Sequence, residues 1–94
     1  MNENLKRAKA LHSEIKKILI NEWDPIGVRD INEAQDEYDS YVPAIYKMLV
    51  LRKSSHEIFE YLWWVETEHM GLTGDRQHTE SIAERLLSLV DRYE

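Results

Sequence analysis

Glu66-x-x-His69 sets a carboxylate and an imidazole on adjacent turns of one helix, the spacing found in half of a di-iron carboxylate site. A complete site needs a second Glu-x-x-His and two more inward-facing carboxylates, and this chain has no second copy. His56-Glu57 opens like the zinc protease motif, but Glu60 stands where the second His must be. His12 and His78 have no partner at ligand spacing. Asp36, Glu37 and Asp39 could do acid and base chemistry only if one were desolvated, and their polar segment favours solvation. The three glycines are scattered at helix ends, so no phosphate-cradling loop forms, and with no cysteine, thiolate metal sites and Cys nucleophiles are excluded. No catalytic residue, metal ligand or cofactor is therefore assigned. A small metal-dependent enzyme using Glu66 and His69 stays as the alternative.

What is left is surface. Asp30, Glu33, Asp36, Glu37 and Asp39 carry five acids with no base among them, and Tyr38 and Tyr41 lie beside them. Exposed acids steer a basic partner over long range, and aromatic rings anchor close contact. Eighteen acids against twelve bases leave a net charge of −6, which repels a phosphate backbone and argues against nucleic acid. Trp63 and Trp64 are neighbours, so helical geometry points them about 100° apart and one is expected to be partly exposed. An exposed Trp is a hot-spot residue for a partner or for a second copy, so a structural homodimer is a further alternative.

The elements that must position these residues are all helical. Leu5, Ala8, Leu11, Ile15, Ile18 and Leu19 share one helix face, predicting a first helix over 3–22, with Lys6, Lys9, Lys16 and Lys17 turned to water. Asp24-Pro25-Ile26-Gly27 has turn chemistry, and Trp23, Ile26 and Val28 are expected to fold back onto the core. After an acidic connection over 29–39, Tyr38, Val42, Ile45, Met48 and Leu49 predict a second helix from about Asp36 or Asp39 to Leu51, with Pro43 either in its first turn or kinking it. Ser54 and Glu57 form a capping box opening a third helix that stops at Gly71 and is expected at the centre of the molecule. A fourth begins between Asp75 and Thr79. The fold expected is all-α, one domain over residues 1–94, a compact bundle of about four helices with the acidic connection between helices 1 and 2. No signal peptide or membrane span is expected, and a cytoplasmic location follows by default.

The segments NEWDPIGV and DEYDSYVP, with the HMGL helix stop and the terminal LLSL, resemble a family of small bacterial all-helical proteins of unknown function. That resemblance covers most of the chain and implies a helical fold in a bacterial cytoplasm, with no catalytic residues to transfer. A second likeness, of composition and character, is to immunity proteins of bacterial toxin systems, which neutralise basic nuclease domains. It implies that the acidic segment contacts the toxin. The expectation is therefore a non-enzymatic module that binds a basic protein partner.

Overall fold

The computed structural model describes residues 2–93, and the side chains of residues 6–91. Helix α1 covers Asn2–Ile18 and runs on into a wide π-helical turn, Leu19–Trp23. The turn closes where the Asp24 amide donates to the Leu19 carbonyl at 2.8 Å, one residue further back than an α-helix would reach. Asp24 is left-handed at φ 36°, and the Gly27 amide donates to its carbonyl to complete the expected turn. Two short 3₁₀ turns, Asn32–Ala34 and Asp39–Tyr41, carry the chain through the acidic connection into α2, Val42–Val50, whose first turn holds Pro43.

Helix α3, Ser55–Trp64, starts at the capping box, where the Ser54 hydroxyl accepts from the Glu57 amide and Glu57 reaches back to the Ser54 amide. It also ends in a π-helical turn, Val65–His69, before Gly71 at φ 72° reverses the chain. Asp75 caps α4, Arg76–Leu87, by accepting from the His78 amide, and a break at Ser88 leads into α5, Leu89–Tyr93.

The result is an all-α bundle of about four helices, with a radius of gyration of 13.0 Å that matches a compact globule of this length. Ile15, Leu19, Ile45, Leu49, Ile58, Leu62, Val65, Leu86 and Leu89 are buried, as their periodicity requires. α3 packs chiefly on α4, whereas α1 touches α2, α4 and α5, and α4 touches α1, α3 and α5, so the central position expected for the third helix is shared by the first and the fourth. Trp23 and Val28 are buried as expected, but Ile26 is exposed. No helix among the described residues is long and apolar enough to cross a membrane.

Candidate interaction surface

The two π-helical turns bring together residues that lie far apart in sequence. Trp23, at the end of the first, donates its indole N–H to Glu66 Oε1 at 2.9 Å. Thr79 Oγ1 donates to the same oxygen at 2.7 Å, and the Asp75 amide donates to Glu66 Oε2 at 3.1 Å. Glu66 is only 5% exposed, so three donors satisfy its carboxylate in place of water. It ties the end of helix 1 and the start of α4 to the turn that follows α3. Gly74 passes so close that a Cβ there would lie 2.9 Å from the Trp63 ring and 3.0 Å from Glu66 Oε2.

Glu66 is therefore committed to structure, and His69 faces elsewhere. An i+4 extrapolation from Val65 continues the buried stripe to His69. The wide turn takes more residues per revolution, so His69 falls short of that stripe and is exposed at the helix end. Its ring lies against Tyr41 and Trp64, not with Glu66 in a shared site. Among the described residues, no three His, Asp or Glu side chains gather where they could hold a metal ion.

A second knot roots the acidic segment. The Asp24 carboxylate accepts from the Val28 amide at 2.7 Å, the Arg29 amide at 3.1 Å and the Tyr38 hydroxyl at 2.9 Å. The Tyr38 hydroxyl in turn accepts from the Ile26 amide at 3.2 Å. Burial above all pushes this phenol above its ordinary range; the Ile26 amide opposes the shift and the Asp24 carboxylate adds to it. Tyr38 has no exposed surface, which corrects its expected role: it cannot offer its ring to a partner, and instead anchors the segment against Trp23, 5.4 Å away between ring centres. Gln35 completes the frame, its amide nitrogen reaching the carbonyls of Val28, Arg29 and Ile31. The segments NEWDPIGV and DEYDSYVP are thus packed on one another through Trp23, Asp24 and Tyr38.

On this frame Asp30, Glu33, Asp36 and Glu37 are exposed, with no ion pair among the described residues. Asp39 is exposed too but pairs with Lys16 at 3.0 Å. Ile26 and Ile31 place two exposed apolar side chains in the same stretch. Sequence periodicity had no means of finding them, because neither sits in a helix.

Tyr41 joins this segment to the tryptophan candidates. It is half-buried, and burial with the nearby Glu37 raises its phenol above the ordinary range. Its ring centre lies 6.3 Å from His69, which stacks nearly parallel on Trp64 at 5.8 Å. Trp64 is 52% exposed, while Trp63 is half-buried and stacked on Phe59. Two candidates that look separate in sequence, the acidic segment and the exposed Trp, are linked through the rings of Tyr41 and His69.

Comparison with protein-family models, curated proteins and solved structures found no match for this chain.

Proposed function

We propose that this protein is a non-enzymatic binding module of the bacterial cytoplasm whose acidic face, Asp30 to Tyr41, engages a basic protein, a toxin domain being the partner that fits the immunity-protein likeness. One observation carries the reading: the acidic segment is held in a fixed shape by Asp24, Gln35 and Tyr38, yet four of its five carboxylates make no ion pair among the described residues. A solubilising loop needs no such frame. Fixed, unpaired charge raises the rate of encounter with an oppositely charged surface and lowers the ordering cost of binding. The exposed apolar residues Ile26 and Ile31 give that surface a place for close contact inside a polar rim.

The test is a capture at low salt with two baits, the wild type and the Glu33→Lys, Asp36→Lys, Glu37→Lys variant, which leaves the Asp39 pair with Lys16 intact. A basic protein retained by the wild type, released by salt and lost by the variant supports the proposal. Equal association rates of both baits with that protein would remove the acidic face from consideration.

A further inference from the structure

Trp64 is the most exposed aromatic anchor of this surface, and its neighbours define what it receives. Glu60 and Glu68 stand four residues before and after it, and all three line one shallow depression on α3 and the turn that follows. Glu60 already holds His56 at 2.7 Å. Glu68 is exposed and has no ion pair among the described residues. Arg76 also lines the depression but is occupied, since it lies over the Phe59 ring at 4.9 Å and pairs with Glu80. The part at Trp64 is therefore a half-exposed indole, stacked on His69 on one side, and a carboxylate with no ion pair among the described residues. A flat cation suits it best, because a guanidinium can stack on the ring and donate two parallel hydrogen bonds to the carboxylate.

We infer that Trp64 and Glu68 form a receptor for an arginine side chain of the partner, with His69 and Tyr41 continuing the contact toward the acidic segment. This rests on the proposed basic-partner function and gives that partner a specific chemistry. An ammonium has the charge but not the planar fork, so arginine is bound in preference to lysine. The Coulomb attraction of the acidic segment brings the partner in, and the indole discriminates once it arrives.

The experiment titrates the full chain with a tetra-arginine peptide at low salt and follows the three indole N–H signals by NMR. The Trp64 signal should move saturably while that of Trp23, bound to Glu66, stays still. Tetra-lysine should bind more weakly. Trp64→Ala should weaken tetra-arginine by about fivefold, as expected for one cation–π contact, and Glu68→Gln by about twofold, as for one exposed ion pair. Trp64→Phe keeps a ring and should fall between wild type and Trp64→Ala. A Trp64 signal unmoved at saturation overturns the proposal, as does a Trp64→Ala variant that binds as the wild type does. So does a Trp64 signal that shifts with protein concentration alone, which would give this face to a second copy of the chain. The Glu33, Asp36 and Glu37 variant separates the two readings. If it binds like the wild type while Trp64→Ala does not, the acidic-face reading fails alone; the reverse pattern defeats only the arginine receptor.

Discussion

Trp23 closes one π-helical turn and Trp64 comes just before the other, and Glu66 and Glu68 lie two positions apart, yet the pairs have opposite surroundings. Trp23 and Glu66 are buried and satisfy each other, with Thr79 and Asp75 filling the remaining acceptor positions. Trp64 and Glu68 face water, the ring half exposed and the carboxylate without an ion pair among the described residues. The inner pair is fixed by the cost of leaving any member alone in a low-dielectric interior. No such cost fixes the outer pair, which beyond the stacking of Trp64 on His69 is left open to the proposed partner. That contrast separates residues kept for architecture from residues open to function.

The strongest way to break the comparison is to remove Glu66. Glu66→Ala leaves the Trp23 indole, the Thr79 hydroxyl and the Asp75 amide without acceptors and opens a cavity, at a cost of about 3–4 kcal/mol. That is a large share of the stability of a chain this size, so urea unfolding should show a marked drop in midpoint. A loss comparable to that of Trp64→Ala would mean that water reaches the inner knot. Next comes Gly74→Ala. Gly71 and Gly74 both sit at positive φ, but only Gly74 has the Trp63 ring and Glu66 Oε2 where a Cβ would go. Gly71→Ala should cost about 1 kcal/mol for backbone strain alone, and Gly74→Ala about 2–3 kcal/mol because overpacking adds to it. Equal losses would show that the indole yields freely.

This contrast also explains what could be read from the chain. The Ser54–Glu57 capping box, Pro43 in a first helical turn, the Asp24–Gly27 turn and the stop at Gly71 were legible because each depends on neighbours within a few positions. The Trp23–Glu66 hydrogen bond spans 43 residues, and nothing local marks it. The wide turns at Leu19–Trp23 and Val65–His69 were hidden as well, since apolar periodicity assumes a uniform helix. The second is why His69 falls short of the buried stripe that Glu66 joins, where the spacing alone set the two as a possible metal pair. The acidic face was legible as composition, but Tyr38 was misassigned to it, because a Tyr beside acids reads the same whether its ring is anchor or core.

Tyr38 gives a smaller, pH-dependent effect. Its folded-state phenol is raised above the ordinary value of 10.0, chiefly by burial. The stabilisation it gives is fully present below that pH and is lost as pH rises through and above it, because the unfolded chain releases the proton first. Thermal midpoints should therefore fall from about pH 10 upward. Tyr38→Phe should make that fall shallower and cost about 1–2 kcal/mol at neutral pH, by leaving the Ile26 amide and Asp24 each a partner short. Tyr41 and Tyr61 are also raised by burial, so some alkaline slope should persist. A slope unchanged in Tyr38→Phe would assign it to those two.

The smallest effect on stability is expected at the outer surface, and there the comparison sharpens most. Glu33→Lys, Asp36→Lys and Glu37→Lys together break no ion pair among the described residues and disturb none of the Asp24, Gln35 and Tyr38 contacts that shape the segment. Trp64→Ala uncovers His69 but opens no cavity. Each variant should lie within about 0.5 kcal/mol of the wild type in urea unfolding. The charge variant should gain slightly, because the net charge of −6 repels itself and three reversals reduce that repulsion. A residue that binds but does not hold the fold must show this pairing of neutral stability with altered association. If Trp64→Ala instead cost as much as a buried aromatic, about 3 kcal/mol or more, the ring would be packing the end of α3 and its exposure would need no partner to explain it.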